Sequence, residues 1–151
     1  MTHHPITPQS ATAVRQLSLR FSATRRGVRL ARRFAVQQFT EWSGLPYDAA
    51  PARAVALVAG ELAANAATHG SLPGRDFRLT LLRLPDRSAL RIEVTDTRPE
   101  RRPRDPAGAP PPHGATAGRG LLLVAAYADR WGWEARDAHT KTVWAEVPVP
   151  P

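Results

Sequence analysis

The feature that most constrains this chain is the way its hydrophobic residues change their spacing along the sequence. They alternate with polar residues in some segments and recur at helical spacing in others. Alternation is typical of β-strands with one buried face, whereas helical spacing produces an apolar stripe along one side of a helix. Elements of both kinds bury their apolar faces against one another in layers. The pattern predicts an α/β protein of the α+β type, a two-layer sandwich whose mixed, mainly antiparallel sheet carries its helices on one face.

The individual elements follow from these segments. Strands are predicted at 14–21, 77–84, 90–95, 131–135 and 142–147, and helices at 24–43, 48–69 and 121–128. Thr24 is a suitable N-cap for the first helix, and Gly44 and Gly70 are suitable C-caps for the first and second. The third helix is apolar on every side, which predicts that it is buried. Residues 98–118 have no periodicity, and a segment of this kind is usually a lid, a binding loop or disorder.

Length and composition fit one globular domain. The chain has 151 residues, of which 42% are hydrophobic and 23% are charged. We assign 1–13 to a flexible N-terminus, 14–147 to the domain and 148–151 to a tail. The sequence has no cysteine, which excludes disulfides and thiolate metal sites. It has no signal peptide and no apolar run of about eighteen residues, so a cytoplasmic location and no membrane partner are expected.

The net charge of +8 raises the question of nucleic-acid binding. Nearly all the positive charge is arginine, because Lys141 is the only lysine. Two clusters stand out, and their members are Arg25, Arg26, Arg29, Arg32 and Arg33, and then Arg98, Arg101, Arg102 and Arg104. The first cluster lies on a helix with an apolar stripe, so a solvated outer face accounts for it. No groove-reading motif accompanies the charge, and direct nucleic-acid binding is therefore the least favoured interpretation; strongly salt-dependent DNA binding would support it.

The second helix contains a polar pair that needs an explanation. Glu61 and Asn65 are four residues apart, so both point the same way, on the flank of the apolar stripe. Polar groups at the edge of a core need partners, which a bound ligand or ion can supply. A glutamate can accept a proton or orient a hydroxyl, and an asparagine oxygen is tolerated by Mg²⁺ beside phosphates. The alternative is a polar pair that contacts a neighbouring loop.

Two further positions suit a nucleotide. Asp96 lies where a strand ends, and its carboxylate can accept a hydrogen bond from an exocyclic amine such as that of adenine, or can begin an ordinary turn. Gly118, Arg119 and Gly120 open the third helix. The free backbone N–H groups and the dipole of a helix start suit a phosphate, and Arg119 adds a cation.

In their order along the chain these motifs resemble a known family. Residues 61–70 read Glu-Leu-Ala-Ala-Asn-Ala-Ala-Thr-His-Gly and resemble the N-box of the GHKL ATPase superfamily, in the variant of the small bacterial anti-sigma factor serine/threonine kinases. Asp96 falls at the G1 box, 118–121 at the G2 box and 141–144 at the closing strand. The resemblance covers about 17–147. It implies the Bergerat ATP-binding fold of gyrase and the histidine kinases.

The resemblance also implies how the phosphates are bound. Glu61 would be the general base, or would orient the protein hydroxyl that attacks the γ-phosphate. Asn65 would ligate Mg²⁺. Gly118 and Gly120 would let backbone amides approach the phosphates of ATP, and Arg119 would lie beside them. Catalysis would then consist mainly of positioning and charge neutralisation, as phosphoryl transfer generally requires.

The resemblance to the family is incomplete in the motifs that would bind adenine. Asp96 would bind the adenine amine, Thr142 would support that aspartate, and 98–118 would form the ATP lid. The family usually has a glycine at the position of Arg98, where the backbone passes close under adenine. It also tends to have an arginine shortly before the G2 glycines, where this chain has Ala-Thr-Ala at 115–117.

These motifs lead to two functional hypotheses. The first is an anti-sigma factor-like protein serine/threonine kinase, an ATP-dependent phosphotransferase that binds Mg-ATP, sequesters a sigma factor and phosphorylates an antagonist protein. The second is a catalytically inactive partner-binding module of the same fold, with weak or no ATP binding. Relatives in the family dimerise, so the resemblance extends to a homodimer. An acidic surface on a sigma factor would suit the first arginine cluster.

Overall fold

A computed structural model describes residues 15–70, 74–97 and 119–150 of the chain. The strands are β1 (Arg15–Ser22), β2 (Asp76–Leu84), β3 (Ala89–Asp96), β4 (Arg130–Ala135) and β5 (Lys141–Pro148). The helices are α1 (Arg25–Ser43), α2 (Ala50–Asn65) and α3 (Arg119–Tyr127). A π-helical turn, Ala66–Gly70, follows α2, and a 3-10 turn, Pro85–Arg87, joins β2 to β3. Each predicted strand and helix is present, with small shifts at its ends.

The five strands form one sheet in the order β1-β2-β3-β5-β4. Every neighbouring pair is antiparallel. The predicted fold class is confirmed, and the described strands are more regular than the mixed sheet expected from the sequence. Two helices connect β1 to β2, and tight turns connect β2 to β3 and β4 to β5. Each of these connections reverses the direction of the chain.

The core lies between the sheet and the helices. Alternate residues of the central strands point into it, and examples that are almost completely buried are Leu79, Leu81, Ile92, Val94, Ala145 and Val147. The helices contribute Ala35, Phe39, Val55, Val58 and Leu62 from their apolar stripes. Full burial of a large apolar side chain contributes about 1.5–3 kcal/mol, so this layer accounts for most of the favourable free energy of folding. Helix cover on one face is therefore the arrangement that the spacing predicted.

The ends of α1 are fixed by the residues that the sequence indicates. The Thr24 hydroxyl accepts a hydrogen bond of 3.0 Å from the backbone N–H of Gly27. At the other end Gly44 adopts a left-handed conformation with φ of 74° and donates its N–H to the Thr40 carbonyl. The predicted N-cap and C-cap are both confirmed.

The end of α2 differs from the prediction. The sequence predicts one α-helix as far as residue 69, but the regular helix ends at Asn65 and the chain continues as the π-helical turn. The N–H of Ala66 is shared between the carbonyls of Leu62 and Ala63, which is common at helix ends. The turn contacts β2 and β3. Single π turns within helices occur frequently at functional sites.

Burial along α3 corrects a prediction. Its continuous apolar sequence predicted a helix buried on every side, but among residues 121–127, whose burial is described, only Leu121 and Val124 are buried. Leu122, Leu123 and Tyr127 are 44%, 39% and 51% exposed. Within the described part of the chain, the helix packs mainly on α2 and also contacts β4, so one stripe of it is covered. No helix in the described part of the chain is long and apolar enough to cross a membrane.

The predicted boundaries of the domain also change at one end. Val149 is 2% exposed, and its N–H donates a 2.7 Å hydrogen bond to the Ser88 carbonyl. The packed domain therefore continues past residue 147, into the segment assigned to a tail. The N-terminus at 1–13 and the lid at 98–118 lie outside the described residues.

Candidate functional site

The polar pair on α2 lies where its spacing predicted. Glu61 and Asn65 are both half-buried, beside the stripe through which the helix packs on the sheet and on α3. That stripe consists of Ala52, Val55, Val58, Ala59, Leu62 and Ala63. Within the described part of the chain, neither Glu61 nor Asn65 makes a side-chain hydrogen bond or an ion pair. Two neighbouring polar groups at the edge of a core therefore have no side-chain partner among the described residues, which is the arrangement a ligand would complete.

Two neighbouring elements bring other parts of the site close to this pair. The π-helical turn begins directly after Asn65 and contacts β3, the strand that ends at Asp96. The helix α3 begins at Arg119 and packs against α2. Gly118, the side chain of Arg119 and the burial of Gly120 lie outside what the structure describes. The helix starts at Arg119, close to where the sequence predicts it, and the binding of phosphates there stays a prediction.

Asp96 is a buried carboxylate with a cationic partner. It is 3% exposed, and its Oδ2 lies 3.4 Å from the Nζ of Lys141, whose side chain is 5% exposed. The two residues face each other across β3 and β5. Val94 and Val143, two residues away on each strand, point into the core, so Asp96 and Lys141 lie on the helix-covered side of the sheet. Burial of two opposite charges requires this kind of pairing.

Lys141 is the site residue that the sequence analysis did not single out. Its proximity to Asp96 depends on the register between β3 and β5, which the sequence did not predict. The only signal available was that this is the one lysine in a chain otherwise rich in arginine.

Thr142 lies on the other face of the sheet from Asp96. Its Oγ1 is 2.7 Å from Oγ1 of Thr95, the residue opposite it on β3. Arg136 donates a second hydrogen bond of 3.2 Å to the same oxygen. The side chain of Lys141 contacts Asp96, whereas Thr142 points to the other face of the sheet, so support from Thr142 would have to pass through the backbone.

None of the helices described lies on the other face of the sheet, which we call the helix-free face, and this face contains a groove of about 760 Å³. Polar side chains border it, including Ser18, Thr80, Glu93, Thr95 and Thr142. Asp96 and Thr97 lie at its edge. The sheet separates the groove from Glu61 and Asn65, whereas Asp96 and Thr142, which were predicted for the adenine end of the site, line it.

The side-chain oxygens of the polar pair on α2 suit a magnesium ion that is also bound by phosphates. No group of three or more His, Asp or Glu side chains that could hold a metal occurs among the described residues. Mg²⁺ bound with a nucleotide needs only one or two protein oxygens, because phosphates and water complete its octahedron. The Asn65 amide oxygen, with the Glu61 carboxylate one turn earlier, is such a donor set.

Comparison with known proteins adds one finding. Residues 21–146 match the sequence model of a family described as histidine kinase-like ATPase domain. The match runs from the end of β1 to β5 and includes α2, Asp96 and the start of α3. No curated protein matches the chain.

Proposed function

Because the chain belongs to the histidine kinase-like ATPase domains of the GHKL superfamily, we propose that it is an ATP-binding regulatory protein of the anti-sigma factor kinase type. In this proposal it binds Mg-ATP, sequesters a sigma factor and phosphorylates a serine or threonine of an antagonist protein. The observation that carries the proposal is the half-buried pair Glu61 and Asn65, which has no side-chain partner among the described residues. Membership of the family implies ATP binding, and the kinase activity and the partners are our proposal.

The chemistry follows from the positions of the side chains. Asn65 would hold the metal-bound phosphates through its amide oxygen, and Glu61 would accept the proton of the attacking hydroxyl or orient that hydroxyl. The backbone N–H groups and the dipole at the N-terminus of α3 would interact favourably with the phosphates. Mg²⁺, when bound, supplies neutralisation of the negative charge that develops on the transferred group. The protein therefore contributes positioning and preorganised charge.

The adenine would lie at the end of β3. The carboxylate of Asp96 accepts a hydrogen bond from the exocyclic amine of the base. It is buried on the same side of the sheet as α2, so base and phosphates would lie on one side of the molecule.

The arginines of α1 support a partner with an acidic surface. All five, Arg25, Arg26, Arg29, Arg32 and Arg33, are exposed. None of them forms an ion pair with another residue of the described part of the chain. By contrast, Arg91 on β3 and Arg136, directly after β4, are paired with glutamates. An unpaired row of cations suits electrostatic steering of an acidic protein surface, as on a sigma factor.

Titration calorimetry with Mg-ATP tests the nucleotide site. We expect saturable binding by the unmodified protein and its loss in Asn65→Ala. Gln38→Ala is the matched control, because Gln38 is also a half-buried amide on a helix but lies on α1. Equal loss in both variants would indicate general damage to the fold. No heat from the folded, unmodified protein at millimolar ATP would overturn ATP binding and favour the partner-binding module.

The kinase activity is tested with Glu61→Gln. This variant retains the size of the side chain and removes the base, so ATP binding should persist while transfer of the γ-phosphate to a purified antagonist falls by about 10²–10⁴. The measurement is radiolabel incorporated into serine or threonine. Unchanged transfer by Glu61→Gln would remove Glu61 from the mechanism.

A further inference from the structure

The single lysine of the chain lies against the carboxylate proposed to bind adenine. Every other side chain of the Lys and Arg type in this sequence is an arginine. The Nζ of Lys141 is 3.4 Å from Oδ2 of Asp96, and the two side chains are 5% and 3% exposed. The pair is fixed by the sheet, because the two residues are direct partners in the antiparallel register of β3 and β5.

Stability alone does not explain this pair. A buried ion pair is often no more stabilising than apolar side chains of similar volume, and the neighbouring inward positions are occupied by Val94 and Val143. A lysine also differs from the arginine used elsewhere in this chain. Its ammonium is a compact donor of hydrogen bonds, whereas a guanidinium is a wide planar fork. The position therefore combines an acceptor and a small donor side by side at the end of two strands.

We propose that Lys141 is a specificity-determining residue, whose ammonium donates a hydrogen bond to N1 of the adenine while Asp96 accepts from the N6 amine. This inference rests on the proposed function, because it concerns the same nucleotide site. The Watson–Crick edge of adenine presents a donor at N6 beside an acceptor at N1. An ionised carboxylate only accepts and an ammonium only donates. A carboxylate has about four acceptor sites and an ammonium has three donors. Asp96 and Lys141 can therefore pair with each other and contact the base at the same time.

The same pair disfavours guanine. In the position that adenine takes, the O6 acceptor of guanine would face the Asp96 carboxylate, and the N1–H donor would face the Lys141 ammonium. Each contact then joins two acceptors or two donors, and buried polar groups left without partners weaken binding. We expect GTP to bind at least about tenfold more weakly than ATP.

Base analogues test the contact without changing the protein. In titration calorimetry with the full chain and Mg²⁺, N1-deaza-ATP lacks the acceptor and should bind about 10- to 100-fold more weakly than ATP, since the lost hydrogen bond has a charged donor. N7-deaza-ATP is the matched control: it retains N1 and should bind as ATP does. Lys141→Met should weaken ATP by a similar factor and abolish the difference between ATP and N1-deaza-ATP. A merely structural lysine would leave that difference unchanged.

The outcomes separate this inference from the proposed function. Equal binding of ATP and N1-deaza-ATP by the unmodified protein would overturn the role of Lys141 and leave ATP binding intact. Absence of ATP binding by the folded protein would overturn both. The analogue comparison in the unmodified protein decides the matter even where Lys141→Met fails to fold, because it leaves the ion pair in place.

Discussion

At the scale of single residues, Gly27 shows how closely two elements approach each other. It is buried in the first turn of α1, against the end of β1. A Cβ at this position would lie 1.8 Å from the carbonyl oxygen of Ser22 and 2.8 Å from its Oγ. The first of these atoms belongs to the backbone, so a larger residue could be accommodated only by moving the strand or the helix. The close approach thus requires glycine here.

We expect Gly27→Ala to reduce the free energy of unfolding by about 2–3 kcal/mol, because the extra methyl overpacks a backbone contact. Urea denaturation followed by circular dichroism measures this change. Gly60→Ala is the matched control: the new Cβ would meet only the flexible Arg32 side chain, with Cδ at 3.4 Å, inside a helix. That variant should be neutral or up to about 1 kcal/mol more stable, from helix propensity. Unfolding of Gly27→Ala at the same urea concentration as the unmodified protein would contradict the close approach.

The site residues differ in how far the sequence can predict them. Glu61 and Asn65 can be placed on the flank of a helix from their spacing, because helical geometry fixes which residues share a face. The partner of Asp96 cannot be found in that way. It depends on which residue of β5 lies opposite β3, and a shift of one residue would exchange Lys141 for Thr142. The sequence therefore places the α2 side of the site, and only the strand register reveals the ion pair.

At the scale of elements, α1 has an electrostatic arrangement that opposes its own stability. Arg25 and Arg26 occupy its first turn, which contains no acidic residue. Cations there interact unfavourably with the positive end of the helix dipole. Arg25 and Arg29 are also one turn apart, as are Arg29 and Arg33, so like charges repel along the exposed face. A partner that brings acidic groups to this face would relieve the repulsion, which links the helix to the proposed protein partner.

We expect Arg25→Glu to raise the free energy of unfolding by about 1 kcal/mol, because a carboxylate favours the helix start and pairs with Arg29. Arg33→Glu is the comparison variant. Arg33 lies too far from the helix start for the dipole to contribute, so the gain in free energy of unfolding should be smaller. Both values come from urea denaturation at low salt, and raising the salt should reduce them. A loss of stability in Arg25→Glu would show that this arginine already has a stabilising contact in the free protein.

At the scale of the whole molecule, the two faces of the sheet are more alike in burial than the alternating pattern suggests. The helix-covered face is apolar, as predicted. The helix-free face carries Glu146, which is only 2% exposed although alternation assigns it to the polar side. Arginines from three other elements cover it, and they are Arg87 after β2, Arg91 on β3 and Arg130 on β4. Trp144, whose ring lies 4.1 Å from the Arg91 guanidinium, adds to this cover.

This layer of side chains could not be predicted from the sequence. Hydrophobic spacing identifies strands and the face that meets the helices, but it treats every polar residue on the other face as solvated. The arginines that cover Glu146 come from positions 87, 91 and 130, which only the order β3-β5-β4 brings together. The sequence thus predicts the sandwich and its helix-covered core, whereas the ion-pair network on the helix-free face follows from strand order and register.

We expect Glu146→Gln to lower the free energy of unfolding by about 2 kcal/mol, because it leaves three arginines beside a neutral amide in a partly buried site. Arg87 and Arg130 are 54% and 55% exposed, so water solvates part of their charge and keeps the loss below that of a fully buried pair. Glu134→Gln is the matched control, since Glu134 is 52% exposed and pairs with Arg136 at 3.4 Å on the same face.

The control should change stability by less than about 1 kcal/mol, as exposed ion pairs do. Salt separates the two positions further. The effect at Glu134 should disappear in high salt, whereas most of the effect at Glu146 should remain, because buried charges are screened much less than exposed ones. Urea denaturation of both variants at low and high salt gives all four values. Equal losses at the two positions would mean that the helix-free face is an ordinary solvated surface, and that Glu146 does not hold β3, β4 and β5 together.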